Sequence, residues 1–417
     1  MGTPPAVGRS HDRDEIEDAL THIILSEPFT GHIGDSVFNE VQEWLKLHPD
    51  VSLQRWRESP RLYVLLRLLG YDADSELFRA FDSENITDVW LPLNAQDIAC
   101  FVTLGLDRDE FRRKQFLVLA RSDRLSDQLH ATNPEHLNVL FGRGHFHEED
   151  VLGQGGSAIV SRVRHKPSGK EFALKRITRA GTISDQRRQL VEFAAEVSIL
   201  KRLSHKHLVS FVASYTDRES FCLILNPVAK GVLKSVLESQ SHERPLPEED
   251  IIFLRRSFGC LATALAYLHG EKVRHKDIKP GNILLNDGAV YLCDFGVSRD
   301  WSDSDHSTTT GDIIKATWRY CAPEVSDLDP RNEKSDIWSL GCVFLELITV
   351  IRGYTIEEMN RFLRAHSADG KWNNPDGVKQ WFDHMKSEVT RPIDDVPFDW
   401  ICEMVSRFAP ILRDSRY

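Results

Sequence analysis

The apolar residues of this chain change period twice, and that change limits its architecture more than any single motif. From about residue 11 to 120 they cluster at helical spacing, as in Ile16, Leu20, Ile23 and Ile24, then Val37, Val41, Trp44 and Leu45. Ser59-Pro60 reads as a helix N-cap and first-turn pair and Gly70 as a stop, with the apolar run Leu62 to Leu69 between them expected to be buried. These signals predict a small all-α domain over 11–120, folding on its own, after a disordered tail over 1–10. A Ser/Asp/Asn/Pro-rich stretch then reads as a linker over 121–144. Short β-branched segments follow, Ile159 to Val163 and Glu171 to Ile177, and beyond Leu233 long helical patterns return, among them Asp250 to Leu268 and Ser339 to Ile351. Strands first and helices later predict an α+β fold of two unequal lobes over 145–417, a small β-rich lobe followed by a larger helical one.

The charge balance narrows the choice of function. The formal net charge is -11, and residues 1–145 carry 15 Lys+Arg against 24 Asp+Glu, a distribution that repels phosphate backbones and argues against nucleic acid as a partner. Seven cysteines without a CxxC pair signal neither zinc nor a disulfide framework. The apolar stretch Leu340 to Ile351 contains Glu346 and falls short of the ~20 residues of a membrane span. Met1-Gly2 is followed by Ala6 where a myristoylation signal needs Ser or Thr. A cytoplasmic or nuclear protein with no membrane partner is expected.

Three segments carry chemistry. Leu152-Gly153-Gln154-Gly155-Gly156-Ser157-Ala158-Ile159-Val160 is a strand-turn-strand whose missing side chains would let backbone N–H groups approach phosphates. Alone it is equally an ordinary tight turn. It gains force from Phe172-Ala173-Leu174-Lys175, one hairpin later, because a lysine there could reach the α- and β-phosphates, and Glu196 on a following helix offers it a counter-ion. The strongest segment is His275-Lys276-Asp277-Ile278-Lys279-Pro280-Gly281-Asn282, followed by an apolar strand and Asp294-Phe295-Gly296. Phosphoryl transfer needs a carboxylate to orient and deprotonate the attacking hydroxyl, oxygen ligands for Mg²⁺, and positive charge at the phosphates. Asp277, the pair Asn282 and Asp294, and the lysines Lys279 and Lys175 offer those three things. Any one aspartate could equally cap a turn; the ordered set is what discriminates.

With these residues in order, the chain from about His145 to Tyr417 resembles the eukaryotic protein kinase family. Ala322-Pro323-Glu324, Asp336-Ile337-Trp338-Ser339-Leu340-Gly341 and Arg413 match further marks of the family, in which that arginine pairs with the glutamate, here Glu324. The Asp-x-Lys-x-x-Asn form at Asp277 resembles the serine/threonine branch. The resemblance implies ATP and Mg²⁺ as cofactors and proteins bearing Ser or Thr as substrates. It adds Thr317 to the catalytic set and implies that Leu152, Gly153, Gly155, Val160 and Ala173 surround the nucleotide with Lys175. It also places an adenine hinge at Asn226-Pro227-Val228, gated by Leu225, and Leu200, His275 and Phe295 in a buried apolar column. The helical extension resembles those on kinases of filamentous fungi, and a regulatory partner for it is expected.

Ala158, Lys276 and Ala316 depart from the family pattern, respectively at the third loop glycine, at the arginine that grips a phosphorylated activation segment, and before Thr317. None removes a catalytic group. Ser307-Thr308-Thr309-Thr310 has the hydroxyls of a phosphorylation switch, or of a solvated loop. The alternative to an active kinase is a pseudokinase or scaffold that works through its helical region. A small-molecule phosphotransferase is disfavoured by Ala322-Pro323-Glu324 and the Asp336 segment.

Overall fold

The computed structural model describes residues 12–25, 29, 31–121, 123–155, 158–296, 298–300, 318–320, 333–366 and 375–387. The predicted tail at 1–10, the Ser307–Thr310 segment, Ala316, Thr317, Glu324 and Arg413 lie outside them. The architecture is mixed α+β, and the chain divides into two compact units, Met1–Val191 with Val212–Leu225, and Glu192–Phe211 with Asn226–Tyr417.

In the first unit the helical pattern becomes α1 (Arg13–Leu25), α2 (Asp35–Leu47), the single turn α3 (Val51–Gln54), α4 (Pro60–Leu68), α5 (Glu76–Ser83), α6 (Ala99–Val102) and α7 (Arg108–Val118). Helix α4 is apolar all round because it packs against α1, α2 and α7 at once, leaving Leu62 to Leu66 buried. Its start differs from expectation: Ser59 makes no side-chain cap. The carboxylate of Asp88, 26 residues downstream of Leu62, accepts from the N–H groups of Arg61 and Leu62 at 3.0 and 2.8 Å. Its stop is as expected, with Gly70 at φ +88 and Tyr71 N–H donating back to Leu66 O.

Residues 121–144 correct the linker expectation. They carry α8 (Arg124–Gln128) and a strand, β1 (His136–Asn138), which pairs parallel with β5 (Ser210–Thr216). The other strands are β2 (Phe146–Gly155), β3 (Ala158–His165), β4 (Glu171–Thr178) and β6 (Ser220–Asn226), and the six-stranded order is β1-β5-β6-β4-β3-β2. Leu125, Leu129, Leu137 and Val139 join Phe172, Leu174, Tyr215 and Ile224 in one buried cluster, so the stretch seals a sheet face despite its polar composition. A Cβ on Gly142 would overlap the Tyr215 ring. Gly142→Ala is therefore expected to cost about 1–3 kcal/mol, checked by urea denaturation. The long helix α9 (Ile183–Arg202) leaves this unit and ends in the second.

The second unit is built on α11 (Glu248–Gly270) and α12 (Lys334–Ile351), joined by α10 (Leu233–Ser239), α13 (Ile356–Ala365) and α14 (Pro375–Ser387). Phe258 of α11 meets Phe344 of α12 with ring centroids 4.8 Å apart, and α12 is buried along nearly its whole length. Among the described residues α11 alone is long and apolar enough to cross a membrane by itself, and its buried residues include Leu254, Phe258, Leu261 and Leu265, the face of a core helix. A small sheet of β7 (Gly231–Val232), β9 (Ile283–Asn286) and β10 (Ala289–Leu292), with the pair β8 (Val273–Arg274) and β11 (Arg299–Asp300), carries the loops described next.

Candidate active site

The first unit holds the expected nucleotide side. Strands β2 and β3 form a hairpin in which Gly155 faces Ala158 and Gly153 faces Val160. A Cβ at Gly153 or Gly155 would meet nothing within 4 Å, so the backbone there is open to an incoming group. Register then aligns Val160 with Lys175, Lys175 with Leu223, and Ala173 with Leu225. Because side chains alternate along a strand, Ala173 and Lys175 share one face of the sheet, while Phe172 and Leu174 enter the core on the other. Leu152, on β2, is partly exposed beside Gly153.

The second unit holds the rest. Glu196 on α9 is only 3% exposed, and Leu200 is buried one turn further on. The hinge segment begins with a cis bond between Asn226 and Pro227; Asn226 O accepts from Ser210 Oγ at 3.0 Å, and Val228 is buried.

The loop after β8 brings Asp277, Lys279 and Asn282 together. Asp277 Oδ2 accepts from Lys279 Nζ at 2.6 Å and from Asn282 Nδ2 at 2.8 Å, and Asn282 Nδ2 also donates to Asp277 O at 2.8 Å. Charge-assisted bonds of this length fix the carboxylate firmly. His275 links this loop to the next one. Its Nδ1 lies 3.3 Å from the Asp277 N–H and accepts it, so the other nitrogen carries the proton and donates to Cys293 O at 3.0 Å. Cys293 N–H in turn donates to Asn282 O at 3.0 Å, and the His275 and Phe295 rings stand 5.2 Å apart. Asp294 is thereby tied, through its neighbour, to the loop that carries Asp277 and Asn282. His275 is completely buried.

Lys276 and Asp294 both adopt φ +67, which costs energy for residues with a Cβ. At Lys276 the cause is visible. Asp336, at the start of α12, accepts from the N–H groups of His275 and Lys276 at 2.8 Å each, and His269 Nε2 lies 3.2 Å away. Burial works against the charge of Asp336, but the bond from His269, the neighbouring imidazoles and the Lys276 N–H outweigh it and hold its carboxyl below the usual range. Sequence reading gave Asp336 only as the opening of a buried helix and missed its grip on this loop. The signal was there: a lone carboxylate heading an apolar helix demands partners.

The donor set suits Mg²⁺. Asn282 uses its NH₂ group on Asp277, which leaves its Oδ1 as the acceptor for a cation, and Asp294 adds a carboxylate; both are hard oxygen ligands. Among the described residues no cluster of three or more His, Cys, Asp or Glu could hold a metal ion.

Beside Lys279 and Pro280 lies a cleft of about 350 Å³, bordered also by Leu237, Arg319, Tyr320 and Glu346. Glu346 ion-pairs with Arg319 at 2.6 Å and accepts from Tyr320 Oη at 3.1 Å. Burial pushes its carboxyl up to about 7 against the pull of both neighbours. A raised carboxyl weakens the fold as pH climbs from the ordinary carboxylate value through 7. Glu346→Gln should therefore gain stability relative to the parent between pH 5 and pH 8, as read from denaturant midpoints.

A protein kinase domain model matches residues 146–389. The chain is 32% identical to serine/threonine-protein kinase TIO of Arabidopsis thaliana over 48% of its own length and 14% of the relative's. It is 33% identical to serine/threonine-protein kinase 36 of Mus musculus over 48% of its length and 14% of the relative's, and 32% identical to serine/threonine-protein kinase fused of Drosophila melanogaster over 47% and 23%. The chain belongs to the protein kinase family. It spans less than a quarter of the length of these three relatives, whose names place them in the serine/threonine branch.

Proposed function

We propose that this chain is an active serine/threonine protein kinase that uses Mg²⁺ and ATP. The observation that carries the reading is the Asp277 carboxylate, held on one oxygen by Lys279 and Asn282 and coupled through His275 and Cys293 to Asp294. In this reading Asp277 orients the hydroxyl of a serine or threonine and takes its proton as the oxygen attacks the γ-phosphorus. Lys279 offsets negative charge gathering on the transferred phosphoryl group. Lys175 aligns the α- and β-phosphates, with Glu196 as its counter-ion, and the open backbone at Gly153 and Gly155 covers them. Leu152, Val160, Ala173, Asn226 and Val228 hold the adenine. Asn282 and Asp294 would hold the magnesium ion, which supplies charge neutralisation at the phosphates when bound. Thr317 is proposed to steady Asp277 and Lys279.

The test is transfer of label from γ-labelled ATP to generic protein substrates with Mg²⁺, compared between the full chain and Asp294→Asn, followed by analysis of the phosphorylated amino acids. Label on serine and threonine from the parent alone is expected. Equal incorporation by both proteins, or label confined to tyrosine, would sink the proposal.

A further inference from the structure

Helix α9 carries Glu196, and its opening turns are held by residues that precede the matched kinase region. Asp97, wholly buried, lies just before α6. Its Oδ2 receives Arg179 Nη2 at 2.9 Å and the Asn94 N–H at 2.8 Å, and its Oδ1 receives Gln186 Nε2 at 2.7 Å. Arg179 follows directly on β4 and is almost as deeply buried. Its remaining bonds run from Nη1 to Pro92 O at 2.7 Å and Asp217 O at 3.3 Å, and from Nε to Gln186 Oε1 at 3.1 Å. Gln186 stands in the first turn of α9, wholly buried, and also donates to Ala180 O at 2.7 Å.

A buried ion pair survives only when its geometry and remaining hydrogen bonds are good, and removing one member leaves an uncompensated charge. Here four of the five N–H groups of Arg179 are engaged. A network so completely satisfied adopts one arrangement and resists intermediate ones. One residue on, Arg187 Nη2 donates to Glu84 O and meets Glu84 Oε2 at 2.7 Å, but that pair is some 40% exposed and adds little.

We propose that the Asp97–Arg179–Gln186 network is a positioning device: the helical extension sets the orientation of α9, and through that helix the placement of Glu196. The inference rests on the kinase reading above, in which Glu196 steadies Lys175. It makes the extension an internal part of the catalytic apparatus. Asp97 and Gln186 are positioning residues, since neither belongs to the nucleotide or peptide site.

The test uses the full chain. Gln186→Met leaves the Asp97–Arg179 pair in place and removes the bonds that tie the helix to Asp97, Arg179 and Ala180; Asp97→Asn removes the charge at its centre. For each, kcat and KM for ATP and for a peptide substrate are measured per folded molecule, with amide hydrogen exchange along 183–196. Gln186→Met is expected to raise exchange there about tenfold, to raise KM for ATP without moving KM for peptide, and to lower kcat/KM for ATP at least tenfold, with Asp97→Asn larger in the same directions. Exchange in β3 should not change. A folded Gln186→Met with parental exchange and kcat/KM overturns the proposal. So does a parent protein in which amides 186–191 exchange as fast as an open chain, a measurement that needs no variant. Glu196→Gln separates the two readings. If it is inactive while Gln186→Met is fully active, only the positioning role falls; if it is fully active, the role given to Glu196 falls instead.

Discussion

Asp277→Asn is expected to lower the rate of phosphoryl transfer about a thousandfold while leaving the stabilisation by Mg²⁺ and ATP unchanged. The substituted amide is isosteric and its Oδ1 can still accept from Lys279, which now donates to Asp277 Oδ2 at 2.6 Å. What the amide lacks is basicity. It cannot take the proton of the attacking hydroxyl, and general-base assistance is worth roughly 10²–10⁴ in rate. Turnover with labelled ATP measures the loss. The rise in melting temperature with Mg²⁺ and ATP measures what survives, since a ligand that binds the native state alone stabilises it by mass action. Unchanged turnover would remove Asp277 from the chemistry.

The second large effect is expected at Asp336, which touches no substrate. Asp336→Asn replaces one of the two acceptor oxygens with a donor, so it must abandon the N–H of either His275 or Lys276, and it alters the contact with His269 Nε2. Leaving a buried N–H without its acceptor costs about 1–3 kcal/mol, a substantial part of the roughly 5–15 kcal/mol by which a domain is stable. Lys276, at φ +67, loses the bond that offsets its strained backbone, and the loop bearing Asp277 loosens with it. The difference should depend on pH. The folded carboxyl of Asp336 lies below its ordinary value, so its contribution is complete above that value and fades as pH falls through the lower, folded one. Denaturant midpoints of parent and variant should accordingly differ fully at pH 7 and converge below pH 4.

What the sequence disclosed follows from the range of each interaction. Asp277, Lys279 and Asn282 are within six residues, and their contacts are made inside one loop, so spacing alone revealed them. Strands β3 and β4 announced themselves as short β-branched runs set between turn residues, a signal local to each strand. Contacts over long separations stayed hidden. Arg179 lies 82 residues from Asp97, and a single arginine in a sequence reads as solvated surface. The expected cap on Ser59 failed for the same reason: a distant carboxylate, Asp88, took its place. The supposed linker misled because Ser, Asp and Asn dominate its composition, while four apolar residues, Leu125, Leu129, Leu137 and Val139, do its packing. Cys293 is half-buried and donates from Sγ to Asn282 O at 3.3 Å, a contact that its place beside Asp294 did not disclose.

Strand β1 bears on where this chain can be cut. It lies along β5 with His136 reaching the hydroxyls of Ser214 and Thr216 at 3.0 Å each, and so occupies what would otherwise be an open sheet margin. A recombinant fragment starting at residue 146, where the family match begins, would bare the N–H and C=O groups of β5 along with Tyr215 and Ala213 behind it. Uncovered margins of this kind template pairing between chains. Such a fragment would self-associate, and its poor solubility would report on the missing strand and not on any defect in the catalytic loops.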